Sequence, residues 1–150
     1  MIALQPAGKN SPPREIVRTR VLVVDDEPLI RWSLCTALAA AGFDAIAAHT
    51  EEEAGVLAAE WPPPRVALID IGADGQGRGL VAEIRRIYSN CRFIGMSTAR
   101  RGAVGLQCEG VEMIEKPFEL AGVVRLVTDL CGAGLASMGL GAKDVREIAT

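Results

Sequence analysis

The chain has 150 residues, of which 49% are apolar and 23% charged, and its formal net charge is −3. That balance fits one globular domain with a sizeable core and excludes disorder along the whole length. No apolar run approaches the roughly 18 residues needed to cross a bilayer, and an acidic chain lacks the basic footprint of a dedicated nucleic-acid binder.

The opening, MIALQPAGKNSPPREIVRTR, holds no continuous apolar stretch of the secretory type, so a cytoplasmic location is expected. Residues 1–18 combine three prolines with Gly8, Ser11 and mixed charge, which predicts a flexible leader. Val21–Val24 is a short β-branched run of the kind buried on both faces of a sheet. Pro28 suits the first turn of a helix, and Leu29, Ile30, Leu34, Leu38 and Ala41 then recur at helical spacing until Gly42. Phe43–Ala47 predicts a weaker second strand. Thr50 and Glu53 have capping-box spacing for a helix reaching Glu60, which Pro62–Pro64 stop.

Val66–Ile69 is a third strand, and the glycine-rich loop from Gly72 to Gly79 leads to a helix carrying Leu80, Val81, Ile84 and Ile87 on one face. Phe93–Met96 and Val111–Ile114 complete five strands. A last helix is predicted over 119–130 with Val123, Val124 and Val127 inward. This alternation is that of an α/β fold with a doubly wound, five-stranded parallel sheet of flavodoxin-like type over residues 19–131. Residues 132–150 form a glycine-rich tail in which a short helix is an option.

Right-handed crossovers put every strand's carboxyl end on one edge, where ligands bind in such sheets. The first strand ends in Asp25-Asp26-Glu27, the third in Asp70, the fourth in Ser97-Thr98 and the fifth in Glu115-Lys116-Pro117. Taken singly, each has a plainer reading: a turn aspartate, a helix cap, a solvated lysine. Taken together, they bring complementary chemistry to one rim. Two carboxylates about 4 Å apart repel by about 4 kcal/mol at an effective dielectric near 20. Three therefore call for protonation or a divalent cation, and Mg²⁺, a hard ion content with carboxylates and water, suits them. Three carboxylates, Mg²⁺ and Lys116 sum to zero formal charge, and a phosphoryl group on Asp70 would add negative charge beside both cations.

On VLVVDDEP (21–28), VALID (66–70), FIGMST (93–98) and EKPF (115–118), the chain resembles the receiver domain of two-component response regulators over about residues 19–131. The run DDEPLIRWSL (25–34) looks most like receivers of bacterial enhancer-binding activators. The resemblance implies that Asp70 is the phosphoacceptor. It implies Asp25, Asp26 and Asp70 around Mg²⁺, with Asp26 the direct ligand of the acidic pair and the Gly72 carbonyl completing the set. Ser97 would be the switch hydroxyl, with Thr98 as its alternate. Lys116 would pair with the phosphoryl group, and the Lys116–Pro117 bond would be cis. The partners implied are a histidine kinase or phosphotransfer protein and an unidentified downstream protein, with no direct nucleic-acid or membrane contact and with room for a homodimer.

The chain departs from the family pattern in three places. The loop IGADGQGRG (71–79) lacks the usual proline, has Asp74 and four glycines, and is expected to be mobile. The relay position three before the lysine holds Met113 in place of an aromatic ring. The segment ARRGAVGLQCEG (99–110), with three glycines, predicts a short or irregular helix between the fourth and fifth strands. Elsewhere the plainer readings lead. Cys35, Cys91, Cys108 and Cys131 lack metal-site spacing and read as reduced, mostly buried thiols. His49 reads as a surface residue, Arg85-Arg86 and Arg100-Arg101 as solvated pairs, and Trp32 and Trp61 as packing or surface residues.

The function expected is a phosphorylation-operated signalling module, not an enzyme. The alternative is a receiver-like interaction module that works without phosphorylation. A Mg²⁺-dependent phosphohydrolase fits poorly, because the acidic pair is adjacent rather than Asp-x-Asp and nothing in the chain suggests a cap domain.

Overall fold

The computed structural model describes residues 17–60, 62–98 and 109–137, with side chains through residue 132. Strands β1 (Arg20–Val24), β2 (Asp44–Ala48), β3 (Val66–Asp70), β4 (Arg92–Ser97) and β5 (Val111–Glu115) alternate with helices α1 (Pro28–Ala40), α2 (Glu51–Ala58), α3 (Arg78–Ile87) and α4 (Leu120–Ser137). The sheet is five-stranded and parallel, in the order β2-β1-β3-β4-β5. The order reverses between β1 and β3, so the crevice beyond their carboxyl ends is the topological switch point.

Side chains leave a strand alternately, and the sheet sorts them into two cores. Leu22, Val24, Ala67, Ile69 and Phe93 face α2 and α3, where Ala54, Ala58, Leu80, Val81 and Ile84 meet them. Val21, Val23, Val66, Leu68, Ile94 and Met96 face α1 and α4, against Leu34, Leu38, Val123, Val127 and Leu130. Apolar side chains on both faces explain why β1 reads as a continuous hydrophobic run and is buried at every residue.

Several boundaries move by a residue or two, as fraying ends allow. Thr50 Oγ1 accepts the Glu53 amide at 3.1 Å, as the capping box requires, but the Glu53 carboxylate returns to the His49 amide at 2.9 Å rather than to that of Thr50. The last helix continues through Ser137, seven residues past its expected end. Glycines at 132 and 134 cost a helix about 1 kcal/mol each relative to alanine without forbidding it. Val127, Leu130 and Cys131 anchor the turns before them on the sheet. Arg85 is not a simply solvated charge: its guanidinium stacks 5.2 Å from the Phe93 ring centre and donates to the Glu109 carbonyl at 2.8 Å. Burial pushes the Cys91 thiol up to about 12 and the Cys131 thiol up to about 11, which keeps both protonated and unreactive. Most of the leader, Trp61, the segment 99–108 with Arg100, Arg101 and Cys108, and residues 138–150 lie outside the described residues.

The loop between Asp70 and α3 is knit together. The Gly72 amide donates to Gln76 O at 3.1 Å, the Gly75 amide to Gly72 O at 2.9 Å, and the Arg78 amide to Gly75 O at 3.2 Å. Gly77 ends it with φ +96°, and a Cβ there would lie 2.5 Å from the Asp70 carbonyl oxygen. Only glycine combines that dihedral with that approach. Gly77→Ala is therefore expected to destabilise the domain by about 1–3 kcal/mol, read as a lower urea midpoint with an unchanged slope. An unchanged midpoint would mean that the loop does not close on Asp70 in this way.

Candidate functional site

The residues ending β1 and β3 are the last ones the sheet can hold. Asp25 continues the ladder by donating its amide to Ala48 O at 3.3 Å, and Ile71, next after Asp70, donates to Met96 O at 2.7 Å. Beyond these bonds the strands separate into the crevice, and the carboxylates enter it. Asp25, Asp26 and Asp70 each bring one oxygen within 4.8 Å of the others. Their exposures grade outward: Asp25 is buried, Asp70 half-buried and Asp26 exposed.

Lys116 holds this cluster from the far side. Its amide donates to Ser97 O at 2.9 Å, which fixes the residue at the end of β5. Its ammonium donates to Asp25 Oδ2 at 2.7 Å and to Asp70 Oδ1 at 3.1 Å. The other Asp25 oxygen, Oδ1, accepts the Glu27 amide at 2.9 Å. The Lys116–Pro117 peptide is cis, as the resemblance implies.

Burial raises the Asp70 carboxyl above the ordinary aspartate range; the Lys116 hydrogen bond and charge oppose this, and the neighbouring Asp25 and Asp26 charges add to it. For Lys116, burial disfavours the charged form, but the hydrogen bonds and charges of Asp25 and Asp70 outweigh it and hold the ammonium above the ordinary lysine value. The two partners thus shift in the same direction. A lone ion pair would lower the acid, so burial, with the neighbouring carboxylates adding to it, outweighs what one lysine relieves.

A cleft of about 330 Å³ opens over the cluster, walled by His49, Thr50, Glu51 and Glu52 on one side and by Gln76 and Gly77 on the other. His49 is exposed at the surface, as expected, and also forms part of this wall. Its place immediately after β2, whose carboxyl end shares the edge, was the available signal. The Gly72 carbonyl already accepts the Gly75 amide, so one of its two lone-pair directions remains for a further donor or a cation.

The two hydroxyl residues separate. Ser97 is buried at the end of β4, whereas Thr98 is exposed and lines a second cleft, of about 400 Å³, with Glu27, Leu29, Ile30, Ser33, Lys116, Pro117, Phe118 and Leu120. Met113 lies beside Gly95 in the β4–β5 register. A Cβ on Gly95 would fall 2.5 Å from the Met113 sulfur and 3.1 Å from Ile71, so the thioether occupies a notch that glycine leaves open, next to the residue that follows Asp70.

The acidic donor set fits Mg²⁺. All three ligands are hard oxygens, and the graded exposure leaves the Asp26 side open to the waters this ion retains. No protein-family model matches the chain. Among curated proteins, the transcriptional regulatory protein AruR of Pseudomonas aeruginosa is 35% identical over 108 residues, 66% of this chain, and the chain spans 43% of that protein's length. A response regulator receiver protein from Pseudomonas putida superposes with a TM-score of 0.66 at 29% identity, covering 75% of this chain and 97% of the other. The chain has the receiver fold of two-component response regulators.

Further neighbours in fold include the two-component transcriptional regulator AraC from Clostridium phytofermentans, with a TM-score of 0.67 at 26% identity over 81% of this chain and 98% of that one. NtrX from Brucella abortus gives 0.72 at 23% identity, covering 83% of this chain and 31% of that chain, a likeness of fold alone. Sequence reasoning brought Asp25, Asp26, Asp70 and Lys116 to the right edge. It passed over Arg31, Gln76 and the position of His49, which carry no motif of their own.

Because the folded-state value of Asp70 lies above its unfolded one, ionising this carboxyl costs stability as pH rises through that interval. Asp70→Asn is therefore expected to raise Tm by a few degrees at neutral pH in Mg²⁺-free buffer. The gain should shrink towards about pH 3, where aspartate is protonated in both states. Calorimetry across this range checks it, and an equal or lower Tm for the variant at pH 7 contradicts the account of Asp70 as an acid raised by burial and its neighbours.

Proposed function

We propose that this receiver accepts a phosphoryl group on Asp70 from the phosphohistidine of a histidine kinase or phosphotransfer protein, in the cytoplasm, and signals through protein contacts rather than acting as an enzyme. The observation that carries this is the Lys116 ammonium bridging Asp25 and Asp70, with an Asp26 oxygen within 4.8 Å of both acids' oxygens. Asp25, Asp26 and Asp70 would hold Mg²⁺, with the Gly72 carbonyl as a further donor; when bound, the ion supplies positive charge opposite the transferring oxygens. An Asp70 oxygen forms a bond to phosphorus as the P–N bond to the donor imidazole breaks, and the imidazole keeps the electron pair and takes up a proton. Lys116 already points at Asp70 Oδ1, and it pairs with the phosphoryl oxygens as negative charge accumulates there. Ser97 or Thr98 then supplies a hydroxyl donor. A charge-assisted hydrogen bond of about 1.5–3 kcal/mol is enough to shift a two-state population about tenfold or more.

The second cleft supports the place of the phosphodonor. It shares Lys116 with the acidic site and begins at Glu27, next to Asp26. Leu29 and Trp32, exposed on α1 beside it, offer apolar surface to a partner helix. A protein docked there would bring its histidine towards the Lys116 end of the acidic site.

Acetyl phosphate with Mg²⁺ is expected to shift the wild-type chain on Phos-tag gels and to leave Asp70→Asn unshifted. No shift in the wild type, or equal shifts in both, overturns the reading in favour of a phosphorylation-independent interaction module. Leu29→Glu is expected to slow transfer from a protein phosphodonor by about tenfold or more, a loss of about 1.4 kcal/mol in binding, while transfer from acetyl phosphate is unchanged.

A further inference from the structure

The backbone of the acidic pair makes a contact that the phosphoryl chemistry does not use. Arg31 stands near the start of α1, where its amide donates to Glu27 O at 3.2 Å. Its guanidinium folds back past the start of its own helix. Nη1 donates to the Asp25 carbonyl at 2.7 Å and to the Asp26 carbonyl at 3.0 Å. A helix start is normally closed by a side chain of the N-cap residue, but Glu27 makes no such bond and the first turn of α1 contains no acid. The arginine thus closes the β1–α1 turn, and it does so on the two residues whose side chains carry the carboxylates.

Two effects of opposite sign follow. Holding two consecutive carbonyls fixes both peptide planes, and with them the directions in which the Asp25 and Asp26 side chains leave the backbone. That favours a bound cation, because the ligands are ordered beforehand. The guanidinium charge, close to the same carboxylates, disfavours a second cation through Coulomb repulsion. The contacts are short and charge-assisted, and they fall on backbone oxygens, so the guanidinium itself takes up no carboxylate oxygen.

We propose that Arg31 is a positioning residue for the divalent cation: it holds the Asp25–Asp26 turn in its ligand-presenting geometry, and this ordering outweighs its own repulsion of the ion. The inference rests on the Mg²⁺ site of the preceding subsection.

The sign of one measurement separates the two effects. In the full chain, isothermal titration with MgCl₂ is expected to show about tenfold weaker binding for Arg31→Met than for wild type, and intermediate binding for Arg31→Lys, whose ammonium reaches one carbonyl at a time. Amide exchange without metal gives a second readout. The Glu27 amide, held by Asp25 Oδ1, should exchange faster in Arg31→Met while amides in β3 and β4 keep their protection. Equal or tighter Mg²⁺ binding by Arg31→Met, or an unchanged Glu27 exchange rate, overturns the proposal. If Arg31→Met fails to fold, Arg31→Lys carries the same comparison, and binding equal to wild type overturns it. A wild-type chain that takes up no Mg²⁺ overturns the metal reading and this inference with it, a result distinguishable from a variant that binds like wild type.

Discussion

The site is organised by an ammonium held between two carboxylates at the rim of a parallel sheet. Lys116 donates to Asp25 and to Asp70 from a third strand, and it is itself nearly buried. Without that cation, the switch point between β1 and β3 would gather three acidic side chains with no compensating charge. With it, burial still holds the Asp70 carboxyl above the ordinary aspartate range, the neighbouring carboxylates adding to the shift, while the lysine stays protonated. Three carboxylates against one ammonium leave the site with a surplus of negative charge.

Close backbone approach sets the surroundings of Asp70. Gly77 lets the following loop fold onto the Asp70 carbonyl, and Gly95 opens a notch for the Met113 sulfur beside Ile71. The loop, Met113 and the Asp70–Ile71 backbone therefore come together at positions with no side chain. A flexible thioether filling a glycine notch is a softer connection than an aromatic ring in a pocket, because methionine has three rotatable bonds and packs in many ways. The four glycines after Asp70 suggested a mobile loop; their hydrogen bonds instead make a compact turn that presents Gln76 to the cleft.

Two clefts open at the rim, and Lys116, which lines one, bonds Asp25 and Asp70, which line the other. One cleft is walled by carboxylates and suits charge; the other, between α1 and the Lys116–Leu120 segment, is mainly apolar and suits a protein partner. Between them runs the Asp25–Asp26 turn, closed by Arg31. A single turn of chain thus presents acids to one side and begins the apolar helix on the other. The geometry of α1 and the geometry of the acidic pair are for this reason not independent.

Much of this was legible before any coordinates. Continuous apolar strands alternating with amphipathic helices determine a parallel, doubly wound sheet, because only that arrangement buries both faces of each strand. Strand-terminal Asp25, Asp26, Asp70 and Lys116 then have to share an edge. Tertiary structure alone decided the rest, because it depends on contacts between residues far apart in the chain or on backbone conformation. It turned Ser97 inward and Thr98 towards the apolar cleft, set His49 on the acidic wall, and laid Arg85 on Phe93. It also sent the Arg31 guanidinium to backbone oxygens, which no side-chain pattern encodes because every residue carries the same carbonyl.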